Sequence, residues 1–157
     1  MSRAFLRGIC LLCVLCTLCV LRAAAQPEKA DALSDAARKG DAAAVKKLLD
    51  EGVDVNTKFR YDRTALSFAA DRGHVDVVKV LLDRRADVTI KDTFYGATAL
   101  TWAINPAMER KPQHTEVVRL LLERGGYSAE ALNAALQAAT RAKLTDVVAL
   151  LQKAGAK

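Results

Sequence analysis

Residues 64–88 read TALSFAADRGHVDVVKVLLDRRADV, and this stretch decides the fold. Thr64 is a residue suited to an N-cap, because its side-chain oxygen can accept a free helical N–H. Gly73 then marks a turn between two apolar stripes with helical spacing. The first stripe holds Leu66, Ala69 and Ala70, and the second holds Val77, Val78, Leu81 and Leu82. The stretch therefore predicts two short helices joined by a tight turn.

The same pattern repeats along the chain. The triplet TAL at 64–66 recurs at 98–100, which is 34 positions later, and GHVDVV at 73–78 is echoed by QHTEVV at 113–118. Weaker copies extend the frame upstream over 31–49 and downstream over 134–155. A repeat of this period indicates a stack of helical units. We place four units at about 28–60, 61–94, 95–127 and 128–157.

The stretch 64–88 and its period closely resemble the ankyrin repeat, and the resemblance covers essentially all of residues 28–157. It implies an all-α ankyrin-repeat solenoid of about four helix-turn-helix units with finger loops. The Pro and His of the family's T-P-L-H pattern are Ala65 and Ser67 here. Because that His supports contacts between repeats, we expect those contacts to be weaker.

Unit ends and helix caps also give expectations. Gly52 and Gly125 fit positions after a helix where φ is positive, but Arg85 stands at the equivalent place in the second unit. That cap should be less favourable by roughly 1 kcal/mol at most. Asp35 and Gln152 replace apolar residues of the inner units, as the solvent-facing ends of a stack require.

The first 25 residues differ from the rest of the chain. Arg3 and Arg7 precede an apolar run over 9–21, and residues 23–25 are AAA. This pattern predicts a secretory signal peptide over 1–25, cleaved between Ala25 and Gln26, and a domain over 26–157 exported to the periplasm or secreted. The alternative is a retained membrane anchor, although the run is shorter than the roughly 20 apolar residues that span a bilayer.

Cysteine and charge exclude several classes. All four cysteines lie in the apolar run, so the mature chain would have no disulfide and no thiol chemistry. The chain has 24 Lys and Arg against 18 Asp and Glu, a net charge of +6. Removing residues 1–25 with their three arginines leaves 21 against 18, or +3. That mildly basic balance is only weak evidence for a nucleic-acid partner, which we predict to be unlikely.

Catalysis has little support in the sequence. The two histidines, His74 and His114, occupy the same repeat position, which explains both without a ligand or base role. No hydrolase, zinc-protease or phosphate-loop motif is present in the sequence. We therefore predict no enzyme, no catalytic residue, no metal, no cofactor and no small-molecule substrate.

Binding of another protein is the predicted function. In the ankyrin family the partner surface is formed by the finger loops and the exposed ends of the first helices, which the resemblance places here on the first finger (56–63), the second finger (90–97) and two helix ends. The implied partner-binding residues are Arg38, Lys39, Lys58, Phe59, Arg60, Tyr61, Arg63, Asp71, Arg72, Lys91, Thr93, Phe94 and Tyr95. The alternative is a polyanion or nucleic-acid binder using Arg38, Lys39, Lys58, Arg60 and Arg63.

The fingers are rich in aromatic residues. Beyond residue 25 the chain has six Phe and Tyr residues, and four of them lie in the two fingers. Aromatic residues and Arg are enriched at the centres of protein interfaces. The rings could equally pack on the neighbouring finger and stiffen it, so both interpretations stay open.

The third unit carries an insertion. Ala70 and His74 are four positions apart, whereas Ile104 and His114 are ten apart, which adds six residues to the turn. Met108, Arg110 and Lys111 could contribute to binding, or the insertion could be a tolerated surface loop, since longer loops cost little. Trp102 aligns with Phe68, so we predict that it belongs to the core.

Overall fold

The computed structural model describes residues 26–105 and 112–157. The predicted signal segment and the insertion residues Met108, Arg110 and Lys111 lie outside these described residues.

The described residues form eight α-helices, one short 3-10 helix and no strand, which confirms the all-α prediction. Each unit contributes two helices. The helices are α1 Gln26–Lys39, α2 Ala42–Asp50, α3 Ala65–Arg72, α4 Val75–Asp83, α5 Ala99–Ile104, α6 Pro112–Arg124, α7 Ala129–Arg141 and α8 Thr145–Lys153. The 3-10 helix, Arg60–Asp62, lies in the first finger.

The helices stack in two layers. The first helices, α1, α3, α5 and α7, pack on one another in sequence, and so do the second helices, α2, α4, α6 and α8. Each first helix also packs against the second helix of its own unit. The predicted apolar stripes meet between the layers, where Leu66, Leu81, Leu100 and Leu121 are at most 1% exposed. None of the described helices has the length and apolar character needed to cross a bilayer.

Local capping begins the first helices. Thr64 accepts a hydrogen bond from the backbone N–H of Ser67 at 3.3 Å, as predicted, and Thr98 accepts one from that of Thr101 at 3.4 Å. The Ser67 hydroxyl in turn accepts from the Thr64 N–H at 2.9 Å, which completes a reciprocal capping box. The residue that replaces the family's His thus has a local capping role.

A different pair of histidines links the units. His74 donates from Nε2 to the carbonyl oxygen of Arg38 at 3.0 Å, and His114 donates to that of Asp71 at 3.2 Å. Each ring lies over a glycine of the preceding unit, because a Cβ added to Gly40 or Gly73 would approach the ring within 2.7 or 2.9 Å. We call these contacts the Gly–His locks. They hold unit 2 on unit 1 and unit 3 on unit 2.

The end of α4 and the two ends of the stack have the structure that the sequence predicts. Arg85 has a φ of 61°, which confirms its predicted left-handed cap. The Arg85 and Ala86 N–H groups donate to the carbonyl oxygens of Leu82 and Leu81, both at 3.0 Å, and so close the end of α4. Asp35 and Gln152 are solvent-exposed, as the ends of a stack require.

Candidate binding surface

The first finger is a tight turn with an unusual tip. The Phe59 N–H donates to the Arg63 carbonyl at 2.8 Å, and the Asp62 N–H donates to the Phe59 carbonyl at 2.9 Å. Between these bonds, Tyr61 and Asp62 have φ values of 61° and 56°. Asp tolerates this left-handed region, but a bulky residue such as Tyr rarely occupies it, at a cost of roughly 1–2 kcal/mol. The turn holds the Tyr61 ring outward, with its side chain among the exposed ones.

The second finger is organised by a buried carboxylate, Asp92, which is 4% exposed. Its Oδ1 accepts from the backbone N–H groups of Phe94 and Tyr95 at 2.9 and 2.6 Å. Its Oδ2 accepts from the Ala97 N–H at 3.2 Å and from the indole N–H of Trp102 at 2.9 Å. One side chain therefore fixes both the shape of the finger and the orientation of Trp102.

The two fingers contact each other through backbone and rings. The Thr93 N–H donates to the Tyr61 carbonyl at 2.9 Å. The rings of Tyr61 and Phe94 lie 5.2 Å apart, those of Phe94 and Tyr95 4.5 Å apart, and those of Tyr95 and Trp102 5.7 Å apart. We call this continuous row of four rings the aromatic ridge. Tyr61, Phe94 and Tyr95 are 45%, 60% and 70% exposed, and they are the exposed large hydrophobic side chains of the described residues.

Arginines alternate with rings beneath the ridge. The guanidinium carbon of Arg38 lies 4.0 Å from the Phe68 ring centroid. That of Arg63 lies 4.4 Å from the Phe68 ring centroid and 3.9 Å from the Trp102 ring centroid. Such stacking is favourable by roughly 0.5–1 kcal/mol per contact at exposed sites. Arg63 also donates to the Asp71 carboxylate at 3.0 Å. The fingers are thereby attached to the first helices.

Two recesses open on this surface. The arginine pocket has a volume of about 280 Å³ and is lined by Arg38, Arg60, Tyr61, Arg63, Phe68, Asp71 and Arg72. The tryptophan pocket has a volume of about 450 Å³ and is lined by Tyr95, Ala97, Thr101, Trp102, Ile104, Asn105 and Ala138. Arg63 of the first pocket lies on Trp102 of the second, so the two are neighbours.

The predicted residues divide into those at the pockets and those away from them. Six of them line the arginine pocket, and Phe94 and Tyr95 extend from it along the ridge. Lys58 is paired with Asp62 at 3.7 Å. Lys39, Lys91 and Thr93 are solvent-exposed and line neither pocket.

The expectations for Asp71 and Trp102 are wrong, and the two interpretations of the finger rings apply to different rings. Asp71, predicted at an exposed helix end, is only 6% exposed and pairs with Arg63. Phe59 packs inward, with its ring centroid 6.1 Å from that of Phe68, so this ring stiffens the finger, whereas the rings of Tyr61, Phe94 and Tyr95 are exposed. Trp102 is half-buried and lies outside the buried core, because Asp92 holds its indole N–H at the finger.

The surface has the groups for binding and lacks a metal-binding cluster within the described residues. Its guanidinium groups can hold an anionic group, and its rings can bury an apolar one. Sequence reasoning missed Asp92, Phe68 and Trp102 as parts of this surface. The turn residues that follow Asp92 in DTFYG were a signal for the first of these.

Comparison with known proteins gives a family. A family model described as ankyrin repeats (3 copies) matches residues 10–92 and again residues 33–126. A search of curated proteins found no significant match. Because the two matches to the family model together span most of the chain, the protein belongs to the ankyrin-repeat family.

Proposed function

We propose that this protein is an exported scaffold or adaptor that binds another protein through its two fingers and the ends of its first helices. Ankyrin repeats are protein-interaction modules, which supports a binding role over a catalytic one. The observation that carries the proposal is the aromatic ridge. Its three exposed rings account for the exposed large hydrophobic side chains of the described residues, and they lie together on the fingers.

The backbone of Tyr61 gives independent support. Strained residues persist where the surrounding structure holds them, and they concentrate at binding and catalytic sites. Tyr61 has a φ of 61°, and its carbonyl accepts the Thr93 N–H of the other finger. The conformation keeps an aromatic ring 45% exposed at the tip.

The polyanion alternative has weaker support. Of its five proposed cations, Lys58 and Arg63 are already paired with Asp62 and Asp71. A polyanion binder would lose affinity steeply as salt concentration rises, because binding releases counterions. A salt titration of the captured complex therefore separates the two functions.

An affinity capture tests the proposal. The bait is the protein purified after expression of the full chain, and the test variant is Tyr61→Asn, Phe94→Ala, Tyr95→Ala. Asn is used because it tolerates a positive φ. The matched control replaces three exposed side chains of the second helices, as Lys46→Ala, Lys79→Ala, Arg124→Ala. We expect a protein that the wild type and the control retain and that the finger variant loses, with equal helicity in all three baits.

The same set of proteins on all three baits would contradict this site. Chemical cross-linking of the captured complex, with mapping of the linked residues, then gives a second measurement. Cross-links concentrated on the second helices would move the binding surface to the outer layer.

Export has its own test. The pattern of residues 1–25 supports it, and the purified native protein should begin at Gln26. Recovery of a chain that retains residues 1–25 in the membrane fraction would instead support an anchor, and recovery of that chain in the cytosol would contradict export.

A further inference from the structure

The arginine pocket has a strong excess of positive charge. Its lining includes four arginines, Arg38, Arg60, Arg63 and Arg72, and one acidic residue, Asp71. Within residues 26–105 and 112–157, only Arg63 of the four forms an ion pair. Guanidinium groups bind carboxylates with paired, charge-assisted hydrogen bonds. The pocket therefore suits an anionic side chain.

Three of these arginines are already held in place. Arg38 and Arg63 lie on the Phe68 ring, and Arg60 lies 4.8 Å from the Tyr61 ring centroid and donates to the Tyr61 hydroxyl at 2.9 Å. Ordering a long side chain opposes binding by roughly 0.5–1.5 kcal/mol. Part of that ordering has taken place in the free protein, which favours a specific site over a diffuse basic surface.

The tryptophan pocket differs in chemistry. Its walls include Tyr95, Ala97, Trp102 and Ile104, and its volume of about 450 Å³ is of the size that binds apolar groups. Because Arg63 lies 3.9 Å from the Trp102 ring, a ligand that occupies both pockets has its acidic and apolar groups close together. A simple anion cannot use the second pocket.

The ring geometry disfavours a nucleic acid. Successive bases stack on exposed faces of aromatic side chains. Within the ridge the rings are inclined to one another by 52°, 90° and 68°, so they pack edge against face and do not form parallel steps. Four arginines of this surface line one pocket.

We propose that this surface binds a protein segment that places an aspartate or glutamate side chain in the arginine pocket and a large apolar side chain, near it in sequence, in the tryptophan pocket. This inference rests on the proposed protein-binding function and adds the chemistry of the partner.

A peptide selection with a fluorescence readout tests the inference. Trp102 is the single tryptophan of the chain, so its emission reports on this site. A displayed library of random 12-residue peptides without Trp is selected on the protein purified after expression of the full chain. Selected peptides are titrated while Trp102 emission is followed, each beside a copy in which Asp and Glu become Asn and Gln. We expect selected peptides to combine a carboxylate with a large apolar residue, and the neutral copies to bind at least tenfold more weakly.

Variants of the protein locate the effect. Arg60→Gln with Arg72→Gln changes two exposed lining residues and should remove most of the difference between acidic and neutral peptides. Ala138→Leu should fill the tryptophan pocket and weaken every selected peptide. The matched control, Lys46→Gln with Arg124→Gln, removes two exposed charges from second helices and should change nothing.

Three outcomes would overturn the inference. Peptides that bind equally in acidic and neutral forms, but fail to bind the finger variant, would exclude the carboxylate and leave the proposed function intact. A selection that yields no peptide would exclude a linear acidic segment. Quenching of Trp102 by oligothymidylate, with a steep dependence on salt and no peptide binding, would exclude both proposals in favour of a polyanion site.

Discussion

Tyr127 carries a polar group into the packed region between units. Its hydroxyl is buried and has no hydrogen-bond partner among the described residues. Burial, together with the negative charge of Asp87, raises the pKa of this phenol well above its ordinary value. The folded protein therefore favours the neutral phenol, and an unfolded chain would release its proton more easily.

Replacement by Phe should reveal this coupling. Because folding raises the pKa of the phenol, its titration leaves the free energy of unfolding unchanged below the unfolded pKa of about 10. As pH rises above that value, the unfolded chain loses the proton first and the free energy of unfolding falls. The free energy of unfolding of the wild type should fall relative to that of Tyr127→Phe above about pH 10. At pH 8 the variant should be equal or more stable by up to about 1 kcal/mol. Urea unfolding at pH 8 and 10.5 measures both, and parallel changes in the two proteins would contradict the coupling.

Residue-level prediction worked where the cause is local. Thr64 and Arg85 have the roles expected from their repeat positions, because caps depend on a few neighbours in the chain. It failed where the partner belongs to another element. Asp71 pairs with Arg63 from the finger, and the Trp102 indole donates a hydrogen bond to Asp92. Aligning the repeats predicts where a side chain lies on its helix, but it does not predict which side chain of another element it contacts.

Pairs of neighbouring helices are held by the Gly–His locks, which the sequence did not predict. The expected weakening of inter-repeat contacts rested on the missing His of the T-P-L-H pattern. In the structure, His74 and His114 donate hydrogen bonds to the preceding unit. The helices were predictable from their apolar period, whereas this contact depends on a missing Cβ across the interface.

Two alanine substitutions separate the lock from the backbone effect. Gly73 and Gly52 both have a positive φ, of 73° and 90°, so Ala at either position costs about 1 kcal/mol or more through strain. Of these two positions, only Gly73 would bring the new Cβ against a ring, 2.9 Å from His114 Cε1. Gly73→Ala should therefore be more destabilising than Gly52→Ala by roughly 1–3 kcal/mol, the usual cost of overpacking. Equal urea midpoints for the two variants would show that the His114 ring moves aside at no measurable cost.

At the scale of the whole molecule, the last unit covers the apolar faces of the third. Helix α7 packs on α5, and α8 packs on α6. Ala135 of α7 and Val147 and Leu151 of α8 are buried. A stack of this kind needs a terminal unit with a polar outer surface to remain soluble. We therefore expect the fourth unit to contribute to stability and to limit self-association.

A chain that ends at Tyr127 tests this role. We expect a lower thermal midpoint than that of the full chain and self-association at micromolar concentration, because the α5 and α6 faces become exposed. Gel filtration with light scattering and thermal unfolding measure the two effects. A monomeric shortened chain with an unchanged midpoint would show that the first three units are sufficient.

The Gly–His locks also make the stack resist tension unequally along its length. Gln113 and Leu144 occupy the places where a third glycine and a third histidine would stand, so unit 4 is attached to unit 3 without one. Under tension between the chain ends, unit 4 is expected to separate first. The arginine pocket would survive this step because its lining belongs to the first two units, whereas the tryptophan pocket would lose its wall at Ala138. A bound segment would then be released from its apolar end while its acidic end was still held.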